Sequence, residues 1–150
     1  MPAGTVPEHM IDTVVLATDG SESVGRAVAV AVDLAERFEA TVHALYVVDT
    51  GEVESAPDTV REEVREALHE QGEAALADIG DTTGGEVHTA IREGRPAAEI
   101  CSYAREVDAD VVATGTRGRH GENRFLIGSV AERVVRTCPR PVLTVRQLDG

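Results

Sequence analysis

Five short apolar runs are spaced along this 150-residue chain: "TVVLAT" at 13–18, "TVHALYVV" at about 41–48, "EVHTAI" at about 86–91, "DVVAT" at 110–114 and "PVLTV" at 141–145. The segments between them repeat their apolar residues every three or four positions, so strand and helix alternate throughout. That alternation constrains the fold more than any other feature, because parallel strands need crossover connections and a sheet made this way is covered by helices. Runs that are apolar on both sides, instead of alternating with polar residues, fit strands buried on both faces. The reading is an α/β chain with an open five-stranded parallel sheet and helices on both faces. At this length it forms a single domain over residues 1–150, with enough chain to bury a proper core.

The helical segments carry their own punctuation. After "TVVLAT", the Asp19-Gly20 pair reads as a turn, and Ser21 or Ser23 can cap a helix whose apolar face is Val24, Ala27, Val28, Ala31, Leu34, Ala35 and Phe38. The second strand ends at Asp49, and "TGEVESAPD" reads as a loop. Thr59 and Glu62 have capping-box spacing ahead of a helix marked by Val60, Val64, Leu68, Ala75 and Ile79, with Gly72 a weak point inside it. Pro96 suits the first position of a helix running to about Glu106. A last helix spans about Ser129 to Thr137. No internal repeat or low-complexity segment interrupts the pattern.

Charge narrows the function. The chain has 27 acids against 14 basic residues, all of them Arg, for a formal net charge of −13. With two Phe, two Tyr and no Trp, it looks adapted to high salt, where screening relieves self-repulsion, and a halophilic source follows. Broad nucleic-acid binding is not expected, since phosphate backbones need a basic face. Nor is a membrane span: "VGRAVAVAVDLAERF" is broken by charges and falls short of about 20 apolar residues. The first residues show no basic region followed by an apolar stretch, so a cytoplasmic protein is expected. Cys101 and Cys138 read as small buried hydrophobes in a reducing compartment.

One stretch runs against the acidic background. Residues 1–114 hold 7 Arg and 24 acids, while 115–150 hold 7 Arg and 3 acids, a balance of +4. The reversal begins in "GTRGRHGENRFLIGS", which leaves the fourth strand and leads into the last helix. In a sheet of order 3-2-1-4-5, ligands bind beyond the carboxyl ends of strands 1 and 4, where strand order reverses. Both unusual turns, Asp19-Gly20 and Gly115 onward, fall there. Glycines let backbone approach an anion, and a helix amino end offers unpaired N–H groups, so the loop reads as a phosphate cradle. It is not a Walker loop, which needs a lysine, nor G-x-G-x-x-G. A phosphoacceptor receiver domain fails too, because strand 3 ends "TAIREG" without an acceptor Asp and the chain has no lysine.

The loop does match G-x2-G-x9-G-S at Gly115, Gly118, Gly128 and Ser129. In this it resembles the nucleotide motif of the universal stress protein family. "VVLATDGSESVGRAV", "HALYVVD", "REGRPAAEICSYAREVDADVVATGTRGRHG" and "LIGSVAERVVRTCPRPVLTV" extend the similarity over nearly the whole chain. The resemblance implies a Rossmann-like fold of the adenine nucleotide alpha-hydrolase type. It further implies a nucleotide site made of Thr18, Asp19, Val47, Thr114, Gly115, Gly118, Gly128, Ser129 and Val130. Asp19 and Val47 would flank adenine and ribose, Thr114 and Gly115 the ribose, and Gly118, Gly128, Ser129 and Val130 the phosphates. At Ala131 some ATP-binding relatives carry a second hydroxyl, which leaves ATP, ADP and AMP all open. A Mg or Mn ion would be held through the phosphates.

The same residues have plainer readings that stay open at this level. Asp19 can serve its own turn, Ser129 can be an ordinary helix cap, and Gly128 can serve only the loop-to-helix turn. Thr114 and Val47 fit a core, and Arg117, Arg119 and Arg124 fit a solvated surface. His120 reads as an exposed loop residue, and His9, His43, His69 and His88 show no metal-ligand spacing. No nucleophile–base pair is legible, so the expected function is a nucleotide-binding stress-response regulator or switch, with at most slow or partner-dependent ATP hydrolysis. The alternative is a dimeric interaction module of the same fold that does not use nucleotide. An apolar final strand at a sheet edge invites pairing, and the family resemblance implies a homodimer through it, with a regulatory protein partner besides.

Overall fold

The structure is a computed structural model and describes residues 11–20, 25–83, 87–116 and 128–146. Five strands, β1 (Thr13–Thr18), β2 (Thr41–Asp49), β3 (Val87–Gly94), β4 (Val111–Gly115) and β5 (Val142–Val145), form one sheet of order β3-β2-β1-β4-β5. Every neighbouring pair is parallel. The helices are α1 (Gly25–Phe38), α2 (Thr50–Ser55), α3 (Arg61–Thr82), α4 (Pro96–Glu106) and α5 (Ser129–Thr137).

Strand alternation sorts the core into two layers. Val14 and Leu16 of β1, with Val42, Ala44, Tyr46 and Val48 of β2, pack under Ala31 and Ala35 of α1 and Leu68, Leu76 and Ile79 of α3. Val15 and Ala17, with Leu45 and Val47, face the other way. They meet Ala97, Ile100, Tyr103 and Ala104 of α4 and Val134 of α5. Both cysteines are buried free thiols in that second layer. Two-sided burial is the reason β1 and β2 read as nearly unbroken apolar runs.

Several local expectations change. "TGEVES" is a helix, not a loop, because the Asp49 side chain caps it by accepting from the Gly51 N–H at 2.8 Å. The Thr59–Glu62 capping box does not form. Residues Asp58–Val60 make a single 3-10 turn, and α3 starts at Arg61 with Val60 at its N-cap and no side-chain cap. Arg61 holds this corner, donating to Ala56 O at 3.0 Å and Glu54 O at 2.8 Å while pairing with Asp58. On α1, Val32 is buried while Leu34 and Phe38 are only half-buried, since the face against the sheet is the alanine row of 27, 31 and 35. On α3, Leu76 is buried where Ala75 was expected. Gly72 is no weak point: it is buried against the Tyr46 ring. Val24 and the candidate caps Ser21 and Ser23 lie outside the described residues.

Two carboxylates on and beside β3 are tuned by partners. Glu106 of α4 grips Arg92 with contacts of 2.5 and 2.7 Å, and the hydrogen bond from that guanidinium holds its carboxyl below the ordinary glutamate value. Glu93 is likewise lowered, first by its 2.9 Å contact with His69 and then by the charge of Arg65. Depressed carboxylates contribute stability above the ordinary carboxylate range and lose it as pH falls through the folded value. A carboxyl-detected NMR titration should therefore show both titrating below an ordinary glutamate. In an Arg92→Ala variant, Glu106 should rise from its lowered value while Glu93 stays low.

Candidate functional site

The site is built where β1 and β4 part. Their paired register runs from Val14–Val111 to Leu16–Ala113, so Ala17–Thr18 and Thr114–Gly115 extend past the last pair. On the other side of β1, pairing with β2 ends at Thr18–Tyr46, which makes Val47 the first β2 residue beyond it. Thr18, Val47, Thr114 and Gly115 thus sit at the carboxyl ends of three adjacent strands, the position where open α/β sheets form a ligand crevice. Thr18, Val47 and Thr114 are buried; Asp19 is half-buried at the rim.

Local chemistry shapes both turns. Thr18 Oγ1 accepts from the Gly20 N–H at 3.1 Å, which closes the exit of β1 on itself. Gly20 has φ +80, a conformation that L side chains rarely adopt, and an added Cβ would stand 3.2 Å from the Gln71 side chain and 3.4 Å from the Tyr46 ring. At the other turn, Thr116 donates its N–H to Val145 O at 3.1 Å, prolonging the β4–β5 pairing by one step. The carbonyl of Thr116 then accepts from the N–H of Gly128. That bond joins the two ends of the glycine-rich loop and sets the start of α5 against the end of β4.

Gly128, in extended conformation, is the N-cap of α5, and no side chain caps this helix among the described residues. Ser129 is its first helical residue and not its cap, which removes the ordinary-cap reading. Ser129 and Val130 are exposed at this end. The first turn of the helix therefore presents backbone donors and a partial positive charge toward the mouth of the crevice. Gly118, with Arg117, Arg119, His120 and Arg124, lies outside the described residues.

Thr18, Asp19, Val47, Thr114, Gly115, Gly128, Ser129 and Val130 are thus brought to one end of the sheet. Four contributors were not found by sequence reading. Thr116 closes the loop through backbone atoms, which leave no side-chain signal. Gln71 and Tyr46 support Gly20 from α3 and β2, and only the register of those elements reveals it. Arg26 of α1 reaches across to Arg146 O at 3.0 Å beyond the end of β5, which adds a cation at the carboxyl end of the sheet. Among the described residues, no group of three or more His, Cys, Asp or Glu could hold a metal ion, and no helix is long and apolar enough to cross a membrane.

An open parallel sheet of order 3-2-1-4-5, covered on both faces, with its glycine turns gathered at the strand reversal, defines an α/β protein of the adenine nucleotide alpha-hydrolase-like class. The model of the Universal stress protein family matches residues 10–146, and the chain belongs to that family. It is 38% identical over 144 residues to universal stress protein MJ0531 of Methanocaldococcus jannaschii, covering 93% of this chain and 85% of that protein. UspA from Lactobacillus plantarum superposes with a TM-score of 0.78 at 27% identity, covering 91% of this chain and 98% of that one. A universal stress protein in complex with cAMP matches with a TM-score of 0.67 at 25% identity, covering 92% and 98%.

Proposed function

We propose that this chain is a single-domain regulator that binds an adenine nucleotide, ATP, ADP or AMP, in the crevice between the ends of β1 and β4. The reading is carried by the Thr116–Gly128 bond, which brings an uncapped helix amino end to the strand reversal. The base and ribose lie against Thr18, Asp19, Val47, Thr114 and Gly115, and the phosphates against Gly118, Gly128, Ser129 and Val130. A relative in complex with cAMP supports an adenine ligand for this fold. Mg or Mn rides on the phosphates, consistent with a crevice whose described residues offer backbone groups, hydroxyls and the carboxylate of Asp19. With no nucleophile–base pair among the described residues at this end of the sheet, the reading is that the site holds a nucleotide and turns it over slowly at most, or only with a partner.

The protein acts in the cytoplasm as a homodimer joined along β5, whose far edge offers backbone groups for pairing and whose Val142 and Leu143 are half-buried. A regulatory protein reads the nucleotide state. The test is calorimetric titration with Mg-ATP and AMP in molar salt, after a denatured sample has been checked for copurified nucleotide. Micromolar binding is expected, and Gly118→Asp should weaken it by roughly a hundredfold, about 2.7 kcal/mol, by placing a carboxylate among the phosphates. No copurified nucleotide and no binding at millimolar ligand would leave the glycines as loop architecture and favour a nucleotide-independent dimeric interaction module.

A further inference from the structure

Away from the crevice, the sheet brings together two histidines that are 45 positions apart in sequence: β2 and β3 pair in register at His43 and His88. Both side chains lie on the α4 side of the sheet, near the amino ends of their strands. Their rings stack with centroids 4.9 Å apart and planes 22° from parallel. His43 is half-buried and its Nδ1 is 3.0 Å from Tyr103 Oη of α4; His88 is exposed. The Tyr103 ring lies 4.9 Å from the guanidinium carbon of Arg92, and Glu106 holds that cation with two contacts.

We propose that His43 and His88 form a two-histidine site for an imidazole-preferring transition-metal ion, with Cu2+ bound most tightly. Neutral imidazole is a preferred ligand of Cu2+, Ni2+ and Zn2+, and among these Cu2+ has the highest affinity for a given nitrogen site. Metal-binding histidines characteristically give their second ring nitrogen to an oxygen partner, which fixes the tautomer and orients the ring. Tyr103 stands in that place for His43, so Nδ1–H donates to Tyr103 Oη and Nε2 is the ligand atom. Binding exchanges other present interactions of His43 and His88 for the metal.

Two nitrogens each bound at about 2.0 Å on adjacent positions sit roughly 3 Å apart. Rings stacked 22° from parallel do not aim their in-plane lone pairs at one ion, so His88, the exposed member, turns toward His43 when the ion arrives. The Arg92 charge does not oppose this, because Glu106 pairs with it through two contacts. With no cluster of three His, Cys, Asp or Glu among the described residues, water fills the remaining positions. The site therefore differs from the nucleotide crevice in both place and ligand chemistry.

The experiment is titration of the full chain with CuCl2, read by electron paramagnetic resonance and by calorimetry. A saturable site whose spectrum shows two equatorial nitrogens is expected. His88→Gln, a change at an exposed position, should weaken binding at least about tenfold and remove one nitrogen. Tyr103→Phe should weaken binding while both nitrogens stay. His69→Gln should change nothing, and circular dichroism should show all variants folded. Unchanged affinity in His88→Gln, or no binding at millimolar Cu2+, would overturn the assignment, whatever the nucleotide titration shows.

Discussion

Replacing Gly72 with valine should lower the unfolding free energy by about 3 kcal/mol. A Cβ at this position would lie 2.5 Å from Tyr46 Cδ1, 2.8 Å from Cγ and 2.9 Å from Cε1. Tyr46 is fully buried in the β2 layer, with Leu16 and Leu68 in the same cluster, so its ring has nowhere to retreat. Alanine in a helix interior ordinarily gains about 1 kcal/mol over glycine, and Gly80 of the same helix tests that baseline. Nothing lies within 4 Å of a Cβ at Gly80, so Gly80→Ala should stabilise. Gly72→Ala should destabilise despite the same propensity gain. Urea unfolding of the three variants decides the matter, and equal shifts at the two glycines would refute the packing account. The same ring touches the space above Gly20, so Gly72→Val should also loosen the Asp19–Gly20 turn.

Leu16→Ala should cost about 3 kcal/mol. Leu16 is fully buried at the centre of β1, in the layer covered by α1 and α3. It is also the last β1 residue paired with β4, opposite Ala113, immediately before the strands part. With alanine already across the ladder, the vacated volume has no large neighbour on β4 to fill it. Thermal or urea unfolding reads the stability loss. If the proposed crevice holds a nucleotide, its affinity should fall with Leu16→Ala, because both walls of the crevice continue from this pair.

The legibility of the chain follows its physics. Val14 to Ala17 and Val42 to Val48 announced their strands because burial on both faces demands a nearly unbroken apolar run, interrupted in β2 only by His43, and Pro96 announced the start of α4 because its fixed φ and missing N–H suit that position. The Thr59–Glu62 spacing misled because a cap works only if the chain enters the helix at the right angle. Here Pro57 and Arg61 turn it through a 3-10 corner first. Asp49 reads as the end of a strand, and its second task of capping α2, through a 2.8 Å contact with the Gly51 N–H, is foreshadowed only by the Asp49–Glu52 spacing, which the loop reading of "TGEVESAPD" passes over.

Local sequence, through apolar period, turn chemistry and glycine spacing, determined the order of elements, the parallel sheet and the region of the candidate site. Tertiary structure alone decided what depends on register between distant segments. It closed the glycine loop through the backbone of Thr116 and Gly128, turned Gly72 from a helix defect into the floor beneath Tyr46, and stacked His43 on His88. The physical reason is that periodicity records which face of an element is buried, whereas a contact across strands or helices depends on which residue stands opposite, and a single segment carries no record of that.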